Sequence, residues 1–243
     1  MRLKYLPCFA AAVAAAALVT LGSPGSARAT MELRITSGAN TSGVVVLTPD
    51  VTGTAMFSTT VGDYAVSVTV TTNAPGTPSL GSLTTTTVDL NKLANTTDTV
   101  KVEVLDNDYN MPSEGLILQA GYTANFQKNA NAADFSTTTA YLDGTGGTNF
   151  STGSAAPSHT FLGTVAGAQS DNEENQGPIA HSANYTLLST SDTLLENKGD
   201  KVSLTIETDA VPTPAPTSAL LALSALPLLG WVVWRRRQRV VAA

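Results

Sequence analysis

Apolar and polar residues alternate strictly along three stretches of this chain, and that alternation restricts them to strands. Tyr64, Val66, Val68 and Val70 alternate with Ala65, Ser67, Thr69 and Thr71. Val100, Val102 and Val104 alternate with Thr99, Lys101 and Glu103, and Val202, Leu204 and Ile206 with Lys201, Ser203, Thr205 and Glu207. A period of two gives each stretch one buried and one solvated face, as in a half-buried antiparallel strand. Shorter candidates lie at 32–36, 44–47, 55–61, 83–90, 116–125, 137–142, 160–165 and 185–191. Turn-forming residues separate them, at Asn73-Ala74-Pro75-Gly76, 107–115, 143–147 and Gln176-Gly177-Pro178. The 36 threonines, with the Ser, Gly and Asn around them, are poor helix formers and argue against a helical bundle. Short strands joined by polar turns predict an all-β fold, an antiparallel β-sandwich of jelly-roll or immunoglobulin-like kind.

The two ends read differently from the body. Arg2 and Lys4 precede an apolar run over 9–21, a breaker at Ser23-Pro24-Gly25-Ser26, and Ala27-Arg28-Ala29. A positive start, a short apolar run and a small-x-small site are the parts of a secretory signal peptide. Residues 1–29 are therefore expected to be removed by signal peptidase, leaving Thr30 first. A buried N-terminal helix would not need the breaker and cleavage pattern. Cys8 is the only cysteine and sits at the start of the apolar run, not at its end where lipidation would require it. The mature chain would then carry no disulfide, thiolate nucleophile or Cys-ligated metal.

At the other end, 211–217 is a Pro-rich spacer, 218–234 an uncharged apolar run, and 235–243 an Arg-rich tail. The run is at the short end of what spans a bilayer as a helix. Trp231 and Trp234 lie near its end, and the arginines would stay in the cytoplasm by the positive-inside rule. Val211, Pro212 and Pro214, the apolar run, and Arg235, Arg236 and Arg237 together resemble the PEP-CTERM sorting signal of Gram-negative bacteria. Thr213 stands where that family usually has Glu. The resemblance covers only the tail. It implies a membrane-anchored precursor, processing by an exosortase, and delivery to the cell surface or exopolysaccharide matrix. The plainer alternative is a single-pass C-terminal anchor.

Between the ends, residues 30–210 form the sandwich body. Seven of the 13 basic residues lie in the end segments, so the body holds six basic against 19 acidic residues, a formal charge of −13. That balance argues against nucleic acid, whose phosphates need clustered Lys and Arg. It favours cations over anionic polymers.

No catalytic set is evident. His159 and His181 are the only histidines and stand in no His-x-x-x-His or His-Glu-x-x-His pattern. No Gly-x-Ser-x-Gly elbow occurs. Gly144-Thr145-Gly146-Gly147 lacks the Lys of a phosphate-binding loop and reads as a hairpin turn. Paired carboxylates for glycoside hydrolysis can be drawn from dispersed acids, but aromatic residues are only 6% of the chain. The segment 155–183, with Asp171-Asn172-Glu173-Glu174, reads as irregular, a polar loop or insertion. One acidic group has the chemistry of a calcium site: Asp106 and Asp108 at the end of a strong strand, with Glu114 in the following loop, offer hard oxygens. The same residues also suit a solvated turn.

These readings predict a non-catalytic structural or adhesive protein, exported and sorted through its tail, with no cofactor beyond calcium. The alternatives are a secreted carbohydrate-active hydrolase, or a calcium- or small-ligand-binding module.

Overall fold

The computed structural model describes residues 30–73, 82–110, 115–127, 133–144, 150, 154–164, 167–174, 178–180 and 184–212. They form twelve strands: β1 (Met31–Ser37), β2 (Asn40–Leu47), β3 (Thr54–Val61), β4 (Tyr64–Thr72), β5 (Ser82–Lys92), β6 (Val100–Asn110), β7 (Leu116–Gln127), β8 (Phe135–Asp143), β9 (Ser154–Leu162), β10 (Gly167–Glu174), β11 (Asn184–Leu194) and β12 (Lys201–Pro212). One sheet runs β2-β1-β6-β11-β8-β9 and the other β10-β7-β12-β5-β4-β3, antiparallel throughout.

The period-two stretches place themselves. Tyr64, Val66, Val68 and Val70 of β4 are all buried, as are Val202, Leu204 and Ile206 of β12. They face Leu33, Ile35, Val100, Val102 and Val104 of the opposite sheet in one continuous core. From β5 onward the chain alternates between sheets, except at the β8–β9 pair, so that β5-β12-β7-β10 lies over β6-β11-β8-β9. That interleaving is the jelly-roll order, not the immunoglobulin one. The hairpins β1–β2 and β3–β4 extend the two sheets at one side. Gly62, with φ of 56°, supplies the positive φ that the two-residue β3–β4 turn demands.

The opposite side is less regular, and it carries the residues of interest. β9 and β10 are the edge strands of the two sheets and lie beside each other. Pro157 is tolerated in β9 because it lies on an edge, where β8 and β9 slip register between Thr139 and Tyr141. The Ala140 N–H freed there donates to the Tyr122 hydroxyl of the other sheet at 3.1 Å.

Two expectations change at this level. The segment 167–174, expected to lie in an irregular polar loop, is a strand. The body also extends past 210: Val211 pairs with Ile117 and Pro212 with Leu116 at the end of β12. The helical part of the expected architecture is not supported. No helix occurs among the described residues, and none there is long and apolar enough to cross a membrane. Membrane anchoring through a C-terminal helix, exosortase processing and an inner-membrane precursor therefore find no support among the described residues. The segments 1–29 and 213–243, with Pro214, Arg235, Arg236 and Arg237, lie outside the described residues.

Candidate functional site

β10 is polar on both faces, and each face meets a different group of side chains. On the outer face, cross-strand register sets Asn172 beside Gly121, and Gly121 beside Glu207. The next row sets Glu174 beside Gln119, and Gln119 beside Asp209. These two rows line an open groove of about 380 Å³ on the outer face of the β10-β7-β12 sheet. Gly121 is its floor. A Cβ there would lie 3.1 Å from Asn172 Oδ1 and 3.6 Å from Glu207 Cβ, so the missing side chain is what opens the groove.

The groove is built of hydrogen-bonding groups. Three carboxylates of the outer rows, Glu174, Glu207 and Asp209, stand with two amides, Gln119 and Asn172, and Ala120 and Glu173 complete the lining. No aromatic ring and no cationic side chain is among its lining residues. Burial, and then the charge of Glu207, pushes the Asp209 carboxyl above the usual carboxylate range. Asp209 Oδ1 is buried and has no hydrogen-bond partner among the described residues. Gln119 Nε2 donates to Glu174 at a long 3.5 Å. The groove thus holds strong acceptors that the protein itself leaves largely unused. A carboxyl with a raised pKa beside a second carboxylate is also the pairing from which acid–base chemistry on a glycosidic bond is made.

On the inner face of β10, Asp171 and Glu173 are half-buried and turn toward β9. The imidazole Nδ1 of His159 makes an ion-pair contact with Asp171 Oδ2. The His159 ring packs against Phe161, with centroids 4.5 Å apart and planes tilted by 51°. One ligand atom from each of His159, Asp171 and Glu173 lies within 4.8 Å of the other two. Beside them, Gln169 Nε2 donates to the Leu162 carbonyl at 2.9 Å, tying β10 to β9 a second time.

The acidic group singled out in the sequence is placed elsewhere. Asp106-Asn107-Asp108 lies within β6, not at a strand end. Asp106 is fully buried between the sheets, where Thr84 Oγ1 donates to its Oδ2 at 2.5 Å and the Tyr109 hydroxyl donates to the same oxygen. Tyr109 in turn bonds Thr72 Oγ1 at 2.8 Å and stacks on Tyr185 with centroids 5.5 Å apart. Asp108 belongs to β6, and Glu114 lies outside the described residues, as does His181. The groove and the His159 cluster were not visible in the sequence because their residues come from three and two strands that turn rules alone do not bring together. The available signal was the Asp171-x-Glu173 and Asn172-x-Glu174 alternation of polar pairs.

No family model matches the chain, and no curated protein matches it. Among solved structures, an arabinose-bound GH51 α-L-arabinofuranosidase aligns with 65% of this chain and 23% of its own, at 11% identity and a TM-score of 0.32. The module TmCBM61, in complex with β-1,4-galactotriose, aligns with 60% of this chain and 88% of its own, at 9% identity and 0.30. The enzymatically active domain of bacteriophage CBA120 tailspike protein 4 aligns with 68% and 20%, at 13% and 0.31. The chain thus spans less than a quarter of the arabinofuranosidase and of the tailspike domain. The expectation of a structural or adhesive protein without a binding or catalytic site is corrected by the geometry: the described residues assemble an open polar groove with a raised carboxyl beside a second carboxylate.

Proposed function

We propose that this jelly roll is a carbohydrate-directed module that binds a neutral polyhydroxylated ligand in the groove formed by β7, β10 and β12. The observation that carries the reading is the groove's lining: four carboxylate residues, Glu173 among them, and two amides around a glycine floor. A carboxylate accepts hydrogen bonds from two neighbouring hydroxyls, and an amide donates to ring and hydroxyl oxygens. Charge-assisted bonds of this kind are roughly twice as strong as neutral ones. The same charges repel an anionic polymer. The volume falls within the range of small-ligand sites. The hydroxyl-rich outer face continues from the groove through Thr123, Thr205, Thr87 and Thr69, adjacent in register, which gives a longer chain further polar contacts.

The raised Asp209 carboxyl beside Glu207 favours a second reading, in which the groove also cleaves what it binds, with Asp209 as proton donor and Glu207 as the ionised partner. The two readings share a ligand and differ in turnover.

Titration calorimetry of the chain with neutral oligosaccharides, β-1,4-galactotriose and arabino-oligosaccharides among them, tests the binding. Asp209→Asn and Gly121→Val should each abolish it while leaving the fold intact by circular dichroism. Binding that survives Gly121→Val would place the ligand outside the groove, and no binding by any neutral oligosaccharide would overturn the proposal. Release of reducing sugar, lost in Asp209→Asn, would add catalysis.

A further inference from the structure

We infer that His159, Asp171 and Glu173 form a site for a divalent transition metal, Zn²⁺ in particular, that joins the edge strands of the two sheets. It adjoins the carbohydrate groove, since Glu173 also borders that groove, while His159 and Asp171 lie outside the groove lining.

The donor set comes from strand geometry. Asp171 and Glu173 are two residues apart on β10, so both carboxylates leave the same face of the strand. That face turns inward, since Asp171 pairs with Tyr122 and Glu173 with Ala120, both of which are buried. His159 approaches from β9, where its neighbour in register, Thr138, is likewise buried. Two adjacent sheet edges thereby converge three ligands from two strands. The ligand atoms all lie within 4.8 Å of one another. Around a tetrahedral zinc with bonds of ~2.0–2.1 Å, ligand atoms sit roughly 3.3 Å apart. Small rotations of the two carboxylate side chains close that difference. The imidazole needs less movement, because Phe161 packs against its face and Nδ1 already points at Asp171.

The donors select the metal. An imidazole nitrogen is a poor ligand for calcium or magnesium, which take oxygen throughout. One nitrogen with two carboxylate oxygens suits zinc and its first-row neighbours. The three residues are half-exposed, so the remaining coordination positions open to water. In the metal-free chain the His159–Asp171 contact and the Gln169–Leu162 hydrogen bond join β10 to β9 across this edge. A metal replaces that pair with three coordinate bonds and fixes the edge strand carrying Asn172 and Glu174.

The test uses the chain purified without a histidine tag and metal alone as the probe. Titration with Zn²⁺ should show one equivalent bound and a raised melting temperature. Co²⁺ should give the visible d–d absorption of a low-coordinate site. Cu²⁺ should give an electron paramagnetic resonance spectrum with superhyperfine coupling to imidazole nitrogen. His159→Gln and Asp171→Asn should each weaken binding on the order of 100-fold or more, while His181→Gln should leave it unchanged. His159 lies on an exposed edge strand, so its variant is expected to fold, with circular dichroism as the check. Absence of Zn²⁺ binding by the folded chain would reduce the cluster to an inter-sheet ion pair. Binding that survives His159→Gln, or a copper spectrum that depends on His181, would also overturn the assignment. Oligosaccharide affinity measured with and without chelator is a separate readout, so a failed groove and a failed metal site remain distinguishable.

Discussion

The hydroxyl of Tyr64 donates to the backbone carbonyl of Asp98 at 2.7 Å. It also accepts the Leu195 N–H at 3.1 Å, and the Lys92 ammonium lies 4.0 Å from its ring centroid while donating to the same Asp98 carbonyl at 3.2 Å. One phenol on β4 therefore ties together the segment entering β6 and the segment leaving β11. Burial pushes its pKa up to about 12, so it remains a donor across the usable pH range. Tyr64→Phe keeps the ring and its packing but leaves the Leu195 N–H unpaired and Asp98 with Lys92 alone. The expected cost is about 1–3 kcal/mol, read from the urea midpoint with an unchanged slope. A loss below the measurement error would mean that water replaces the hydroxyl.

Glu103 is buried on the outer side of β6, where Arg34 Nε meets Oε2 at 2.5 Å and Lys101 Nζ meets Oε1 at 2.8 Å. Burial raises the Glu103 carboxyl, but hydrogen bonds from Arg34 and Lys101 outweigh it and hold the pKa below the usual range. A carboxyl depressed on folding stabilises the fold above its unfolded value of about 4.3 and loses that contribution as pH falls through the folded value. Arg34→Met removes one cation and its stacking over Phe150, 4.5 Å from the ring centroid. Arg34 is itself 35% exposed, so the cost at pH 7 should be about 1–3 kcal/mol, less than for a wholly buried pair. The gap between wild type and variant should close as the pH is lowered below about 4. A gap of constant size would assign the loss to Phe150 packing and not to charge.

Asp209 has the opposite sign. Its pKa is raised on folding, by burial first and by Glu207 second. The folded state then holds the proton more tightly than the unfolded chain, so stability falls as pH rises from the unfolded to the folded value and stays lower above both. Asp209→Asn should raise the melting temperature at neutral pH, and the advantage should vanish once wild-type Asp209 is protonated. Thermal melts from pH 3 to pH 7 measure this. A variant less stable than wild type at pH 7 would show that the carboxylate has a stabilising partner in the fold. Greater stability with loss of ligand is the trade expected of a carboxyl kept for function.

Much of the fold was legible because its central strands are amphipathic in the simplest way. The alternations over 64–71 and 201–207 lie in β4 and β12, interior strands of one sheet that are buried on one face only. The alternation of β6 holds over Val100 to Val104 and then fails. From Val102 to Asn107 both faces are buried, so Asp106 and Asn107 read as turn residues although the strand continues through them. Position in the sheet overrode local composition there, because Thr84 and the Tyr109 hydroxyl satisfy the Asp106 carboxylate inside the core. β10 was illegible for the reverse reason. An edge strand with no fully buried side chain has no apolar period to detect, and Gly167–Glu174 pairs only with β7. The groove and the histidine cluster both depend on that strand, so the least readable segment carries the candidate chemistry. Charged edge strands also resist pairing with other chains, which gives such residues a structural use that masks a functional one.

Gly121 separates the stability of the sheet from the function of its face. It sits in the middle of β7, paired with Asn172 on one side and Glu207 on the other. Its backbone is not in the left-handed region, so no turn or positive φ requires glycine there. Glycine within a strand loses more conformational freedom on folding than alanine does. Gly121→Ala should therefore stabilise the chain by about 0.4–1 kcal/mol if the new methyl group is accommodated. The only tight contact would be with Asn172 Oδ1 at 3.1 Å, the far end of an exposed side chain that can turn aside. Turning it aside removes one amide from the groove, and the methyl group fills the floor. Oligosaccharide affinity should fall in the same variant that melts at a higher temperature. Urea denaturation and calorimetric titration on one preparation make the comparison. If Gly121→Ala is more stable and binds as well as wild type, the groove floor does not touch the ligand. If it is less stable, Asn172 is held in place by more than its contact with this glycine, and the rigid amide becomes the feature to explain.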